Sequence, residues 1–189
     1  MVSVVRLPLP LQKKLAAVFQ GTHEQAEFVA EAVKKALDTH VPNDTMQPLA
    51  IGGTLHLFTD GGSRGNPGQA AVGCVLYDPL KNEVIREYGE CIGVETNNIA
   101  EYKALITGLR IGAEFHPNHL ICHLDSELVV KQLNGEYRVK MATFTPLIQE
   151  INALKSGFPH VSFVYIPREK NTRADLLVNR ALDDLLGKK

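Results

Sequence analysis

The stretch FTDGGSRGNPGQAAVGCVLYD, from Phe58 to Asp78, decides the fold of this chain. It joins the end of one apolar segment, TLHLFTD at Thr54–Asp60, to a second, AVGCVLYD at Ala71–Asp78. The alternation of apolar residues predicts a strand for the first segment, and the apolar run predicts a strand for the second. The glycines between them permit turns and let backbone approach a ligand, so we expect a binding loop at Gly61–Gly68.

The rest of the C-terminal segment continues the alternation of strands and helices. The segment EVIREYGEC at Glu83–Cys91 predicts a third strand, and the short connection DPLKN before it predicts a hairpin. The whole pattern is βββ-α-β-α-α-β-α. Hairpins followed by crossover helices predict an α/β fold, in which helices pack on a mixed sheet. Helices are expected at about 98–115, from 126, at 144–155 and at 172–186, and strands at 120–125 and 161–167.

Residues 1–53 differ from the rest and predict a helical N-terminal extension with a linker. Leu11, Leu15 and Val18 share one face of a helix, and VPNDTMQP at Val41–Pro48 is typical of a linker. We therefore divide the chain into an extension at 1–53 and a main domain at 54–189. A helical pair this short buries little core alone. Its possible roles are docking on the main domain, dimerisation, a protein contact or substrate binding.

The composition is that of a globular protein. The 189 residues are 44% hydrophobic and 22% charged, with a net charge of −1, which excludes a disordered chain and gives no sign of a polyanion partner. The three cysteines Cys74, Cys91 and Cys122 lack CxxC spacing, which argues against a zinc site and suits a reducing cytosol. No apolar run approaches the ~20 residues that span a bilayer, so we expect a cytoplasmic protein with no membrane contact.

Four of the acidic residues occupy special positions in this pattern. Asp60 and Asp125 end strands, whereas Glu101 and Asp175 lie in the first turns of predicted helices. If the first and fourth strands are adjacent and parallel, Asp60 and Asp125 emerge at the sheet edge where α/β folds bind ligands. Converging carboxylates repel one another unless cations neutralise them, and oxygen ligands select hard ions such as Mg²⁺ or Mn²⁺. Two such ions can hold the attacking water and the leaving oxygen of a phosphodiester.

Four motifs follow one another along residues 58–183: Phe58–Asp78, ETNNIAEYKALITGL at Glu95–Leu109, LDSELVVKQLNGEYRVK at Leu124–Lys140, and PREKNTRADLLVNRALD at Pro167–Asp183. Taken together, they resemble ribonuclease H type 1 in order and spacing. The resemblance covers essentially all of residues 54–189 and implies a mixed five-stranded sheet of order 3-2-1-4-5, flanked by helices. It also implies an endonuclease that hydrolyses the RNA strand of RNA–DNA hybrids by two-metal-ion catalysis, leaving 5′-phosphate and 3′-hydroxyl ends.

The resemblance also implies the roles of individual residues. It gives Asp60, Glu101, Asp125 and Asp175 as the catalytic carboxylates that bind two Mg²⁺ ions, for which Mn²⁺ can substitute. It gives the segment TNN, at residues 96–98, as a contact to the substrate. The alternative role of this segment is a helix N-cap, and both roles can hold because helix N-termini also bind phosphates. Glu127 stands where some members carry Gln; it either accepts a 2′-hydroxyl hydrogen bond or is simply exposed. The implied substrate-binding residues are Gly61, Gly62, Ser63, Asn66, Thr96, Asn97, Asn98 and Glu127.

The chain departs from the family pattern in three respects. Tyr165 stands ten residues before Asp175, where many members carry His, and a tyrosine with a pKa of about 10 cannot shuttle protons at neutral pH. The N-terminal extension does not match the family's hybrid-binding module, which includes Trp, because this chain has none. No basic insertion follows the third motif, so we expect weaker, more salt-sensitive or more relaxed binding than in members that have the insertion. The local basic residues that remain are Arg138, Lys140, Arg168, Lys170 and Arg173.

Other functions are weighed on the same residues. Some compact family members also act on double-stranded RNA, and the sequence leaves that substrate open. A non-catalytic nucleic-acid-binding domain is a second alternative, although the presence of all four carboxylates argues against it. The segment TNNIAEY argues against a related DNA transferase or exonuclease. A small-molecule phosphohydrolase is disfavoured because GGSRGNPG lacks the Gly-Lys-Ser/Thr ending of a P-loop.

Overall fold

The computed structural model describes residues 53–139, 141–185 and 187. The helical extension predicted for residues 1–53 therefore lies outside the described residues, apart from Gly53. No helix in the described part of the chain is long and apolar enough to cross a membrane. In chain order the elements are β1 (Thr54–Gly65), β2 (Gly68–Asp78), β3 (Glu83–Glu95), α1 (Asn97–Ala113), β4 (His119–Leu124), α2 (Glu127–Leu133), a 3₁₀ turn (Ala142–Phe144), α3 (Thr145–Lys155), β5 (His160–Tyr165), a second 3₁₀ turn (Arg168–Lys170) and α4 (Thr172–Leu185).

The five strands form one mixed sheet with the order β3-β2-β1-β4-β5, which confirms the predicted architecture. Strand β2 pairs antiparallel with both β1 and β3. Strand β4 runs parallel to β1 and to β5. The last pair of the β1–β4 register is Thr59 with Leu124, so both strands reach the same edge of the sheet at the same level. The residues that follow this pair are Asp60 and Asp125.

One face of the sheet carries the main core. Leu55 and Leu57 of β1 are buried, whereas His56 between them is only half-buried, because successive strand residues point to opposite faces. The buried leucines belong to one apolar cluster with Leu105 and Leu109 of α1. This packing fixes α1 across the centre of the sheet, so the N-terminal half of α1 has a defined position relative to β1.

Helix α4 packs on the other face of the sheet through close backbone contacts at glycines. A Cβ atom built on Gly73 of β2 would lie 2.3 Å from the carbonyl oxygen of Ala174, and one on Gly89 of β3 would lie 3.0 Å from that of Leu177. Val178 and Leu182 of α4 bury their side chains in a small cluster on the same face. The missing side chains therefore let α4 lie directly on the sheet and carry Asp175 to its edge.

The prediction of a loop at Gly61–Gly68 is wrong. Strand β1 continues to Gly65, β2 begins at Gly68, and the two residues between them form the turn of a hairpin that contains a cis Asn66–Pro67 peptide. Gly65 and Gly68 are the last partners of this antiparallel register, and Gly65 has a φ of +104°. Glycine weakens strands on average, but it is favoured where φ is positive, as at Gly65, and where another backbone approaches closely, as at Gly61.

We predict that Gly73→Ala destabilises the domain by about 1–3 kcal/mol, because the new methyl group would overlap the carbonyl oxygen of Ala174. Thermal unfolding should show a fall of roughly 3 to 10 °C in Tm. Gly53→Ala is the matched control, since no atom of the described residues lies within 4 Å of its Cβ position. Equal melting temperatures for the two variants would contradict this account of how α4 is seated.

Candidate active site

Three carboxylates meet at the edge of the sheet. Asp60 belongs to β1, Glu101 to α1, and Asp125 directly follows β4. Each offers one oxygen, and these oxygens all lie within 4.8 Å of one another. Asp60 and Asp125 lie side by side because they follow the last register pair of two parallel strands. The structure thus brings together three of the four carboxylates that the sequence predicts.

Glu101 reaches the cluster because α1 lies almost in contact with β1. A Cβ atom on Gly61 would lie 2.2 Å from the carbonyl group of Ala100 and 2.4 Å from the amide nitrogen of Glu101. Thr96 is the N-cap of the helix, and its hydroxyl accepts a hydrogen bond from the Ile99 amide at 3.4 Å. The helix therefore begins at Asn97, which places Glu101 in the second turn and corrects the prediction of the first turn.

Burial and mutual repulsion alter the protonation of the cluster. Burial, followed by the charges of Asp125 and Asp175, raises the pKa of Asp60 to about 7. Burial also raises the pKa of Glu101 well above its ordinary value, with Asp60 and Asp125 adding to the effect. Without a cation, the site therefore retains protons at a pH where an exposed carboxyl group is ionised.

The donor atoms of the cluster fit a divalent cation. Oε2 of Glu101 and Oδ1 of Asp125 are buried without a hydrogen-bond partner. Unpaired buried carboxylate oxygens are costly, and a positive charge among them offsets that cost. All the donors are oxygens, the set that hard cations such as Mg²⁺ and Mn²⁺ prefer. The residues present therefore form an acidic cluster compatible with metal binding.

Asp175 lies in the first turn of α4, as predicted, but its carboxylate has protein partners. Its Oδ1 is 2.7 Å from Nη2 of Arg168, and its Oδ2 accepts a hydrogen bond from the Asn179 side chain at 3.0 Å. It lines the same cavity as the cluster without belonging to the group within 4.8 Å. Arg168 therefore competes with any cation for this fourth carboxylate.

The cluster opens into a cavity of about 390 Å³ between the hairpin and α4. Of the predicted substrate-binding residues, Gly61, Gly62, Ser63 and Asn97 line it. The full lining is Asp60, Gly61, Gly62, Ser63, Arg64, Asn97, Glu101, Asp125, Arg168, Asp175, Val178, Asn179 and Leu182.

The other predicted contacts lie outside this cavity. Asn66 accepts a hydrogen bond from the Asn97 amide at 3.2 Å, and Asn97 in turn accepts one from the Ser63 amide at 3.3 Å. These bonds tie the hairpin to the start of α1, next to the cap residue Thr96. Asn98 lines a second cavity of about 650 Å³. The Glu127 carboxylate is exposed and lies 2.6 Å from the ammonium group of Lys131.

Three polar residues of the site were not predicted as substrate or metal contacts. Arg64 lies inside the glycine-rich motif and lines the cavity, as does Asn179, which stands four residues after Asp175 and therefore on the same helix face. Asn171 is buried and donates a hydrogen bond to the Thr59 carbonyl at 2.9 Å, which joins the end of β1 to the start of α4. The spacing of Asn179 from Asp175 is visible in the sequence and would have predicted that Asn179 lies beside the site.

Two of the five basic residues expected near the site form ion pairs with acidic residues. Arg168 pairs with Asp175, and Arg173 pairs with Glu87. Lys140 lies outside the described residues. In the described segments 134–139 and 141, no helix lies between α2 and the first 3₁₀ turn. Tyr165 ends β5 with 47% of its surface exposed, and it does not line the cavity.

Comparison with known proteins identifies the family. The family model described as "Reverse transcriptase-like" matches residues 58–181. Ribonuclease HI of Halobacterium salinarum is 41% identical over 162 residues, which cover 84% of this chain and 80% of that protein. This chain belongs to the ribonuclease HI family. The crystal structure of RNase H1 from the same archaeon superimposes with a TM-score of 0.68 at 42% identity, covering 70% of this chain and 99% of that one.

Two further relatives match this chain over about two thirds of its length. LC11-RNase H1, isolated from compost, has a crystal structure in complex with an RNA/DNA hybrid; it has a TM-score of 0.66 and 42% identity, covering 70% of this chain and 99% of that one. A bifunctional protein of Mycobacterium tuberculosis is 40% identical over 124 residues, 66% of this chain, but the match spans only 34% of that protein. The archaeal match is longer than residues 54–189, so it includes part of the N-terminal extension.

We predict that the metal-free protein loses stability as pH rises from about 4 to 8. Asp60 has a pKa of about 7 when folded and 3.8 as its ordinary value, so between these values the folded state binds more protons. The stabilisation is complete at low pH and is lost as pH rises through 7. We expect a loss of up to about 4 kcal/mol in EDTA, or a fall of roughly 8 to 16 °C in Tm.

Asp60→Asn provides the control for this prediction, because an amide does not titrate. The variant should show a smaller fall in Tm over the same pH range. Addition of Mg²⁺ at pH 8 should raise the Tm of the unsubstituted protein much more than that of the variant. A melting temperature that stays constant or rises with pH in EDTA would contradict the raised pKa that burial and neighbouring carboxylates give Asp60.

Proposed function

We propose that this member of the ribonuclease HI family is an endonuclease that hydrolyses the RNA strand of RNA–DNA hybrids. The observation that carries the proposal is the convergence of oxygens from Asp60, Glu101 and Asp125 within 4.8 Å at the cavity beside the glycine hairpin. The relative solved with an RNA/DNA hybrid, at 42% identity, supports the class of substrate. The products would carry 5′-phosphate and 3′-hydroxyl ends.

We propose Mg²⁺ as the cofactor, with two ions held by Asp60, Glu101, Asp125 and Asp175. When bound, divalent cations supply Lewis acidity, which lowers the pKa of water and offsets negative charge on a departing oxygen. Asp60 has a pKa of about 7 in the free protein, so it must release its proton when a cation binds. Asp175 must also exchange Arg168 for the cation. The first step makes metal binding dependent on pH. The second makes it dependent on the ion pair between Arg168 and Asp175.

The hairpin supplies the surface that recognises the hybrid. Gly61 and Gly62 line the cavity with backbone, which a minor groove can approach closely. Recognition of RNA requires contact with the 2′-hydroxyl group, which donors and acceptors such as the Ser63 hydroxyl can provide. Asn97 fixes the hairpin against α1, whose N-terminal amides favour a phosphate. We propose Thr96, Asn66, Asn98 and Glu127 as flanking substrate contacts outside the carboxylate cavity.

We place the protein in the cytoplasm because its cysteines are free. Cys74 and Cys122 are buried thiols, and Cys91 is partly buried. Burial raises the pKa of Cys74 to about 12, so this thiol is unreactive at neutral pH. The role of residues 1–53 in dimerisation, protein contact or substrate binding stays a prediction, which deletion of residues 1–50 tests through mass and KM.

A labelled-strand assay tests the proposed activity. We expect Mg²⁺-dependent or Mn²⁺-dependent cleavage of the RNA strand of a hybrid, no cleavage of duplex DNA, and no cleavage in EDTA. Asp60→Asn should reduce kcat by at least ~1000-fold, because it removes a central ligand of the cluster. Near-native circular dichroism would show that the variant is folded.

Several results would contradict the proposal. Retained activity of Asp60→Asn with Mg²⁺ would remove Asp60 from the active site. Equal cleavage of duplex RNA would replace hybrid specificity with a relaxed substrate range. Absence of cleavage on all three duplexes, with hybrid binding intact, would favour a non-catalytic nucleic-acid-binding domain.

A further inference from the structure

Arg64 lies at the far end of the carboxylate cavity. It is the penultimate residue of β1, and it lines the cavity together with Ser63 and Gly62. Because a strand rises about 3.3 Å per residue, Arg64 lies ~13 Å along β1 from Asp60. The cavity therefore runs from a cluster of negative charge at one end to a guanidinium group at the other.

An ion pair with α4 holds the Arg64 side chain in place. Its Nη2 lies 2.5 Å from Oδ1 of Asp183, and the two side chains are 33% and 42% exposed. Asp183 follows Asp175 by about two helical turns, on the helix that forms one wall of the cavity. An exposed pair of this kind contributes little to stability, because water screens it and two long side chains lose conformational freedom. Stability alone is therefore a weak reason for a charged pair at this position.

The guanidinium group retains donors for a second acceptor. Arginine has five N–H donors in a planar fork, which matches the geometry of phosphate oxygens. The contact to Asp183 comes from Nη2 alone. Asp183 does not line the cavity, whereas Arg64 does, so the pair orients the guanidinium from behind.

The distribution of charge singles out Arg64 among the cavity residues. In the described part of the chain, the lining contains four carboxylates and two arginines. The second arginine, Arg168, is bound to the candidate metal ligand Asp175. When metal ions neutralise the carboxylates, Arg64 is the positively charged side chain at the end of the cavity away from the cluster. A polyanion that lies along β1 would meet it.

We propose that Arg64 binds a backbone phosphate of the nucleic acid, a few nucleotides from the bond that is cut, and that Asp183 orients it. The inference rests on the proposed function and adds a contact to it. Phosphate contacts position a nucleic acid without reading its sequence. Arg64 thus supplies part of the affinity that the missing basic insertion does not.

Salt dependence separates this role from a purely structural clasp between the hairpin and α4. Each phosphate contact contributes about 0.9 to the slope of log affinity against log salt concentration. A side chain that touches only Asp183 contributes nothing to that slope. The measurement is kcat and KM for hybrid cleavage by the full chain in Mg²⁺, between about 50 and 200 mM KCl.

We expect Arg64→Gln to raise KM by about 5–10-fold at the lower salt concentration, with kcat within about twofold, and to reduce the salt slope by about one. Arg64→Lys should keep the slope, because it keeps the charge. Arg110→Gln is the matched control, since Arg110 forms a similar 2.5 Å pair with Glu150 but does not line the cavity. Asp183→Asn should keep the slope of the unsubstituted protein.

An unchanged salt slope in Arg64→Gln would overturn the proposal. So would a rise in KM for Asp183→Asn equal to that of Arg64→Gln with both slopes unchanged, since that result describes a clasp. Failure of the unsubstituted protein to cleave the hybrid would reject the proposed function instead. The salt slope of hybrid binding, measured by fluorescence anisotropy, would then decide the Arg64 contact separately.

Discussion

The parallel pairing of β1 and β4 is the constraint on which the site depends. It sets Thr59 beside Leu124, so the next residue on each strand is a carboxylate at the same edge. Such a pair of like charges is unfavourable, and α1 adds Glu101 to it. The core beneath, with Leu55, Leu57 and the leucines of α1, supplies the packing that holds these charges together. Hydrophobic packing of the sheet therefore offsets the electrostatic repulsion among the carboxylates of the site.

The sheet also brings together two helices from opposite faces. Helix α1 approaches β1 at Gly61, and α4 approaches β2 at Gly73. Asn171 joins α4 to β1 through a buried hydrogen bond. The hairpin between these helices carries the backbone that a minor groove would meet. Substrate recognition and metal binding therefore depend on the same few backbone contacts, and a displacement of either helix would change both.

Much of this arrangement follows from the sequence, and the exceptions have physical causes. Alternating apolar residues predict the strands before Asp60 and Asp125, but only Asp125 follows a strand end, whereas Asp60 lies inside β1 just past its last pair with β4. The hairpin at Gly61–Gly68 is different, because its glycines suggest a loop by composition, and their pairing depends on backbone contacts made elsewhere in the fold. The pairing of Arg64 with Asp183 spans 119 positions along the chain. Local patterns carry no information about a contact over that separation, nor about the choice of Arg168 as a partner for Asp175.

The glycine contacts also limit how this scaffold can be altered. At Gly61 any side chain would strike the backbone of Ala100, so that position cannot be used to change what the cavity accepts. On the other face, a side chain at Gly73 would strike the backbone of Ala174 and displace α4. Ser63 and Arg64, which line the cavity, are positions near the carboxylates where other side chains can be tried. An engineer who wishes to redirect the fold to another polyanion has these two side chains to work with, while the glycine frame stays fixed.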